Sequence, residues 1–527
     1  MLGARLLTGT PQSVRNAADL TVMSCPVKYR QLGDFPKYYA GETKAPYLTI
    51  FIAGNHEASS HLWELYYGGW VAPNIYYMGA ANVLRLGPIR IAGLSGIWKG
   101  FDYGKPHHER LPFSQDEVRS FYHVREVDVR KLLLVRSQVD VGLSHDWPRA
   151  IEYHGDAEGL FRKKSFFRQE SIDGTLGSVA AKYVMDRLRP PYWFSAHMHV
   201  KFSALRKYGE HEGVTEAMEA EKQSQEQAPV TAPVMPTAAE ANPDEIDLDM
   251  DDDDDDTKAD EGGKHQEEER EAAKSGGDGG DTREETNEVP DDLRAQLPAS
   301  FARPQPKTKK TPGQPVPETI PNKEVRFLAL DKCLPGRHFL QLCDIKPHDP
   351  ESLAQHPPSE EGPRFRLQYD PEWLAITRVF HGSLQFGDAA AQTSPDLGEE
   401  HYVPLIEAER RWVEENVVTT GKLDIPDNFA ITAPPYVAGT PEIVEEQPEE
   451  YTNPQTVAFC ELMGIENLWD AGAEERAERR ARGPAPPTGG GFRGGGNRNR
   501  GGRGGGGGRG RGRGRGGGRG GGRRGRW

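Results

Sequence analysis

Cysteines and long apolar runs are scarce in this sequence, and their scarcity narrows the classes of protein to which it can belong. It contains four cysteines, Cys25, Cys333, Cys343 and Cys460, which lie far apart and form no Cys-x-x-Cys pair. This spacing indicates neither a disulfide framework nor a structural zinc knuckle, and it favours a reducing compartment. No apolar run approaches the roughly 20 residues that cross a bilayer, so we expect no membrane partner.

Aromatic residues are almost absent from two stretches, which predicts that neither has a packed core. Residues 208–320 are rich in Glu, Asp, Gly, Pro and Ala, and include an aspartate run at 251–256. Such a stretch cannot bury enough apolar surface to offset its ordering entropy, so we predict a disordered acidic linker. Residues 471–527 are also predicted to be disordered, and from residue 489 they are almost only Gly and Arg.

The Gly and Arg segment is typical of an RGG-type tail. Glycine denies it a stable fold, while arginine supplies planar charged groups that pair with phosphates and stack on bases. This composition favours contacts with RNA or ribonucleoproteins. The alternative is a tail without a defined partner.

The other parts of the sequence are dense in apolar residues and predict an α/β fold. Short apolar runs typical of buried strands occupy residues 46–53, 89–94, 139–143 and 192–196. Helices are predicted at residues 13–32, 114–134 and 178–188. This alternation indicates a layered α/β domain over residues 1–207. A second, smaller unit is predicted over residues 321–470, with strand and helix patterns at 364–380 and 400–417.

Three short polar motifs each follow one of the predicted strands. They are Gly-Asn-His-Glu at 54–57, Ser-His-Asp-Trp at 144–147 and Ala-His-Met-His at 196–199. Ligand sites of α/β sheets gather at the carboxyl ends of strands, so these motifs are candidates for one site. An amide oxygen and imidazole nitrogens suit a divalent metal, and a histidine can also protonate a leaving oxygen. Alternatively, the first motif is a turn or helix cap and the second holds a structural histidine.

The motifs and their surroundings resemble the RNA lariat debranching enzymes, a family of calcineurin-like metallophosphoesterases. The resemblance covers about residues 11–207 and 322–468. It is carried by the stretches PYLTIFIAGNHEASSHLWELYYGGWVAPNIYYMG, LSHDWPRAI, KSFFRQE, TLGS, PYWFSAHMHVKFSAL and RFLALDKCLPGRHFLQ. The fold implied is a metallophosphoesterase α/β sandwich with a smaller C-terminal debranching-enzyme domain.

The resemblance also implies a reaction and a set of site residues. The family hydrolyses the 2'-5' phosphodiester at the branch of excised intron lariats, a step of mRNA processing in the nucleus. Asn55, His145 and His197 would belong to one metal pocket, His199 to another, and His56 would be the general acid. One or two divalent ions, Fe, Zn or Mn, are expected as cofactors, and the protein is expected to be a monomer.

Residues 107–130 alternate aromatic and basic side chains, as suits stacking on bases and holding phosphates. By resemblance this is the lariat recognition loop. The residues predicted to contact RNA are His107, Arg110, Phe113, Arg119, Tyr122, His123 and Arg125. The alternative is an ordinary amphipathic helix.

The start of the sequence departs from the family pattern. The family's first strand ends in Cys- or Asp-x-His-Gly and its second in Gly-Asp, whereas Gly9-Thr10-Pro11 stands here before a helix-like segment. A neutral Thr10 cannot replace a carboxylate that holds two cations together. We therefore expect an N-terminally truncated fold with an exposed sheet edge, poor stability and little activity.

Three functions remain open from the sequence. The first is a metal-dependent debranching phosphodiesterase. The second is a catalytically impaired RNA-binding or scaffold protein that uses the recognition loop and the tail. The third is a metallophosphoesterase with another substrate, which the family-like stretch from residue 326 onward and residues 107–130 disfavour.

Overall fold

The computed structural model describes residues 5–8, 12–209, 311–355 and 365–484. The predicted acidic linker therefore lies almost entirely outside the described residues, as does the Gly and Arg tail from residue 489. The prediction of disorder from residue 471 onward is wrong at its start, because Ala473–Arg482 forms a helix whose Arg479 pairs with Glu450 at 2.6 Å. The described residues belong to one compact unit that spans residues 1–487. No helix in the described ranges is long and apolar enough to cross a membrane.

Eleven strands occur in the described part of the chain. They are β1 (Arg5–Leu7), β2 (Thr49–Phe51), β3 (Gly69–Ala72), β4 (Ile75–Tyr77), β5 (Ala81–Leu86), β6 (Ile89–Leu94), β7 (Val141–Ser144), β8 (Tyr192–Ser195), β9 (Phe202–Lys207), β10 (Glu324–Ala329) and β11 (Leu367–Tyr369).

The α-helices of the same residues are α1 (Phe35–Tyr39), α2 (Ser59–Trp63), α3 (Gly100–Tyr103), α4 (Gln115–Ser120), α5 (Glu126–Leu133), α6 (Ala157–Lys163), α7 (Phe167–Ile172), α8 (Val179–Leu188), α9 (Pro371–His381), α10 (Glu399–Val413), α11 (Pro454–Met463) and α12 (Ala473–Arg482). Short 3-10 turns lie at Asp19–Val22, Val27–Tyr29, Ile151–His154 and Pro350–Gln355, and a π-helical turn at Glu414–Val418 extends α10.

The strands form two mixed sheets. The smaller sheet has the order β1-β2-β4-β3, in which β1, β2 and β4 are parallel and β3 is antiparallel. The larger sheet has the order β11-β5-β6-β7-β8-β10-β9, with a parallel centre formed by β6, β7, β8 and β10. The predicted α/β class is therefore confirmed.

Aromatic side chains fill the core beside the larger sheet, and one of them packs directly against the backbone of a neighbouring strand. Trp147 stacks on Phe202 with ring centroids 5.2 Å apart, and both pack near Phe327. Gly142 lies beneath Trp193, where a Cβ atom would come within 2.2 Å of the indole. A larger residue at position 142 would collide with this ring, because protein cores leave no such space.

The two predicted units share one sheet. Strand β10 lies between β8 and β9, and β11 extends the opposite edge beside β5. Asp370 caps α9 and forms ion pairs with Arg90 at 2.9 Å and Arg85 at 2.7 Å. The part of the chain after the linker therefore completes the sheet that carries the polar motifs.

The strand predictions at 46–53, 89–94, 139–143 and 192–196 are confirmed as β2, β6, β7 and β8. The helix at 178–188 is also confirmed as α8. Its first turn is capped by Ser178, whose hydroxyl accepts from the Ala181 N–H at 3.0 Å.

The helix predicted at 13–32 is wrong, because the structure has two 3-10 turns there. Arg15 and Asp19, four residues apart as in a helix, form instead a buried ion pair of 2.9 Å, and Arg15 also binds Glu64. Pro26 interrupts the segment, since it lacks the N–H that a helix interior uses.

The prediction of one continuous helix at 114–134 is wrong, because the structure has two helices, α4 and α5, which residues 121–125 separate. There the backbone pairs with the turn after β6: Ile97 N–H donates to Tyr122 at 3.0 Å, and Val124 N–H donates to Ile97 at 2.9 Å. Long-range backbone bonds thus replace the helical bonds that the local pattern favours.

Candidate active site

The three polar motifs come together where parallel strands of the two sheets end. Asn55 and His56 follow β2, His145 follows β7, and His197 and His199 follow β8. Because β2 belongs to the smaller sheet while β7 and β8 belong to the larger sheet, the site lies between the two sheets, at the carboxyl ends of these strands. This is the position that α/β sheets favour for ligands.

Three side chains form the centre of the site, and we call them the acceptor cluster: Asn55, His145 and His197. His145 Nε2 lies 3.1 Å from Asn55 Oδ1 and 3.2 Å from His197 Nδ1. The two imidazole rings have centroids 4.9 Å apart. The structure therefore places together the three residues that the family resemblance assigned to one metal pocket.

The hydrogen bonds around the cluster orient its lone pairs inward. His145 donates Nδ1–H to the backbone carbonyl of Thr8 at 2.7 Å, which leaves a lone pair on Nε2. The Asn55 amide contacts His56 Nε2 through Nδ2 at 3.3 Å, so its oxygen faces His145. Two acceptors in contact repel each other unless a positive group lies between them, and the set therefore fits a divalent cation.

Burial keeps the histidines of the site neutral. It lowers the pKa of His145 to about 3, His197 to about 4 and His199 to about 3, with neighbouring cationic groups acting in the same direction. Neutral imidazole is the form that binds metals. Burial also lowers the pKa of His56, and a phosphate anion beside it would favour its protonated form.

His199 lies beside this cluster but has no hydrogen-bond partner on Nδ1 among the described residues. Both His197 and His199 have left-handed backbone conformations, with φ of 61° and 51°. Such conformations cost about 1–3 kcal/mol each in non-glycine residues and concentrate at functional sites. An extended segment would place residues 197 and 199 on one face, but the backbone turns at both positions, and both rings nevertheless lie at the site.

Within the described residues, no group of three His, Cys, Asp or Glu side chains is arranged to hold a metal ion. The acceptor cluster combines two histidines with an amide, so Asn55 would be the third ligand. The metal assignments of Asn55, His145, His197 and His199 remain predictions. Thr10, predicted to stand in place of a carboxylate, lies outside the described residues.

Sequence reasoning missed Asp146. Its carboxylate is buried, which raises its pKa; Oδ2 accepts from the Trp98 N–H at 3.1 Å, and Oδ1 lies 4.0 Å from His197 Nε2. Oδ1 has no hydrogen-bond partner within the described ranges. The sequence did contain a signal for this residue, since Asp146 directly follows the candidate ligand His145 in the second motif.

Several predicted RNA contacts have partners inside the protein. Phe113 is fully buried, His123 Nδ1 lies 2.6 Å from Asp102, and Arg125 forms an ion pair with Glu109. His107 Nε2 lies 2.5 Å from Asp128. These contacts give the four residues structural roles, and their RNA contacts remain predictions.

The other predicted RNA contacts differ in exposure. Arg110 pairs with Glu450 at 3.2 Å, and the Tyr122 hydroxyl lies 2.7 Å from Ser24 Oγ. Arg119 is exposed at the end of α4. Phe101, which sequence reasoning missed, is 69% exposed in α3, the short helix that follows β6. Arg119 and Phe101 are therefore better placed for an RNA than the buried members of the predicted set.

Most of the chain is similar in sequence to known proteins. A family profile described as "Lariat debranching enzyme, C-terminal domain" matches residues 322–468. Over 462 residues the chain is 38% identical to a protein of Schizosaccharomyces pombe named lariat debranching enzyme, with 87% of this chain and 90% of the relative covered.

Two further relatives with the same name come from distant organisms. The Arabidopsis thaliana protein is 34% identical over 88% of this chain and 80% of its own length. The Homo sapiens protein is 35% identical over 87% of this chain, which spans 63% of that relative's length. The similarity thus extends across both sheets and both predicted units.

Proposed function

The chain belongs to the lariat debranching enzyme family, and on that premise we propose that it hydrolyses the 2'-5' phosphodiester at the branch of excised intron lariats. The observation that carries this proposal is the acceptor cluster of Asn55, His145 and His197, with His56 bonded to Asn55. Neutral oxygen and nitrogen ligand atoms that converge beside a histidine suit metal-assisted phosphodiester hydrolysis. The substrate is a branched intron RNA, and we propose the nucleus as its location.

A divalent Mn, Fe or Zn ion would be held by Asn55 Oδ1, His145 Nε2 and His197 Nδ1, with His199 available to a second ion. When bound, such an ion activates water for attack and stabilises negative charge on phosphoryl oxygens. The protein's own contribution is to hold these three ligand atoms in place in a buried pocket. The Thr8 carbonyl supports it by keeping the His145 proton on Nδ1.

His56 is the proposed proton donor to the leaving 2'-oxygen. Its Nε2 faces the amide nitrogen of Asn55, so the neutral ring carries its proton on Nδ1. Nδ1 has no hydrogen-bond partner in the described part of the chain. To act as the general acid, the ring must be in its imidazolium form, which gives one proton to the leaving 2'-oxygen and returns to the neutral ring.

The experiment uses a synthetic RNA with one 2'-5' branch and a linear 3'-5' RNA of the same sequence. With excess Mn²⁺, Fe²⁺ or Zn²⁺, the chain is expected to release the branch as a free 5'-phosphate end and to leave a 2'-hydroxyl, at a low rate because Thr10 stands in place of a carboxylate. The linear RNA is expected to stay intact. Binding of the branched RNA without cleavage under all three metals would refute the catalytic proposal and support the scaffold alternative.

We further propose that the Gly and Arg tail strengthens RNA or ribonucleoprotein contact and that the protein acts as a monomer. The support for the tail is its composition, since arginine pairs with phosphates without a defined fold. Analytical ultracentrifugation at micromolar concentration measures the mass of the protein in solution. The mass of a dimer would refute the proposal that it is a monomer.

A further inference from the structure

His197 lies between two groups that compete to decide which ring nitrogen carries its proton. Nδ1 faces His145 Nε2 at 3.2 Å, inside the acceptor cluster. Nε2 faces Asp146 Oδ1 at 4.0 Å, outside it. A proton on Nε2 would leave the Nδ1 lone pair directed inward, beside the inward-facing atoms of Asn55 and His145.

Asp146 is held in place independently of His197. Its Oδ2 accepts from the Trp98 N–H at 3.1 Å, and its backbone carbonyl accepts from the hydroxyls of Ser144 at 2.6 Å and Ser195 at 3.3 Å. Oδ1 is buried without a hydrogen bond inside the described residues. An unsatisfied buried acceptor is costly to folding, so packing alone does not account for this oxygen.

We propose that Asp146 is the positioning residue of the site, which holds the His197 proton on Nε2 and so presents Nδ1 to a metal. Metal-binding histidines commonly donate their second N–H to a carboxylate or a backbone carbonyl. His145 donates to the Thr8 carbonyl at 2.7 Å, whereas Asp146 Oδ1, at 4.0 Å from His197 Nε2, would act on that N–H through its negative charge. This inference rests on the proposed metal-dependent function.

Replacement of Asp146 by asparagine separates this role from a merely structural one. The asparagine oxygen would still accept from the Trp98 N–H, so its amide group would turn toward His197. An N–H donor at that place favours a lone pair on Nε2 and a proton on Nδ1, which points into the acceptor cluster. Asp146→Ala removes the carboxylate without imposing the wrong tautomer.

The experiment measures Zn²⁺ binding to metal-free full-length chains by calorimetry. Asp146→Asn is expected to weaken binding about 10–100-fold, and Asp146→Ala less than Asp146→Asn. A structural role predicts the opposite order, because asparagine has the shape of aspartate. Asp156→Asn, which preserves an exposed helix cap, is the matched control and is expected to leave binding unchanged.

Histidine ¹⁵N NMR spectra of the metal-free chains give a second readout. The His197 signal, assigned by its loss in His197→Gln, is expected to show a larger fraction of rings with the proton on Nε2 in the unmodified chain than in Asp146→Asn. Equal Zn²⁺ affinities, or the same tautomer in both chains, would overturn the inference about Asp146. Absence of Zn²⁺ binding to the unmodified chain would instead count against the proposed metal site.

Discussion

The Nδ1–H of His145 donates to the backbone carbonyl of Thr8 at 2.7 Å, and this bond decides which nitrogen of the ring faces the site. Thr8 follows the edge strand of the smaller sheet, whereas His145 follows a central strand of the larger sheet. The bond therefore links the two layers at the acceptor cluster. Metal binding at His145 should consequently stabilise the contact between the sheets.

The first prediction is that a bound metal raises the stability of the chain. Mn²⁺ or Zn²⁺ at 100 times its dissociation constant should add about 2.7 kcal/mol to the free energy of unfolding, by mass action. His145→Ala should abolish the increase, because it removes a central donor. Thermal denaturation with and without EDTA measures the effect. His401→Ala, on the exposed side of α10, is the control, and an equal rise in both variants would contradict the prediction.

The second prediction concerns His56. His56→Ala should slow cleavage of the branched RNA about 10²–10⁴-fold, because a positioned general acid contributes roughly that factor. Single-turnover cleavage and RNA affinity are measured together, with His401→Ala again as the control. A variant that cleaves at the normal rate would refute the assignment of His56 as the proton donor.

The third prediction separates two arginines of the recognition loop. Arg119→Ala should weaken RNA binding and lower its salt dependence by about one phosphate contact, because Arg119 is exposed. Arg125→Ala should instead destabilise the fold by about 3–5 kcal/mol, because it leaves Glu109 buried without its charge partner. Denaturant unfolding and filter binding distinguish the two effects. Similar stability losses in both variants would contradict this division.

The fourth prediction concerns the Gly and Arg tail. Deletion of residues 489–527 should lower RNA affinity most strongly at low salt, because its arginines act through phosphate contacts. The rate of cleavage at saturating RNA should not change. Equal affinity of the full and shortened chains at 50 mM salt would remove the tail from the RNA-binding surface.

The fifth prediction concerns pH and His61. Burial, together with the charge of Arg15, lowers the pKa of His61 to about 3, whereas an unfolded histidine titrates near 6.5. Between these values the unfolded chain binds the extra proton, so stability falls as the pH falls from 6.5 toward 3.

His61→Gln should therefore reduce the slope of unfolding free energy against pH by up to about 1.4 kcal/mol per unit in this window. Urea unfolding at pH 4.5, 5.5 and 6.5 measures this slope. The exposed His401→Gln should leave it unchanged. An unaltered slope for His61→Gln would show that this ring already titrates in the folded state.

Local patterns predicted many elements because the physical cause was itself local. Strand β6 and helix α8 follow from an apolar run and from a Ser178 cap, and the structure has both. The failures at 13–32 and 121–125 have long-range causes. Arg15 binds Glu64, and Ile97 bonds the backbone of residues 122–124, so distant partners overrode the helical pattern.

The sequence by itself determined the family, the strand ends that carry the polar motifs and the residues of the acceptor cluster, because these depend on residue types and on short spacings. Tertiary structure alone decided how those residues are used. The Thr8 carbonyl reaches the His145 ring only after the two sheets have packed, and the Asp146 carboxylate reaches the His197 ring only after β7 and β8 have paired. Proton placement on a histidine depends on such neighbours in space, which the order of residues does not specify.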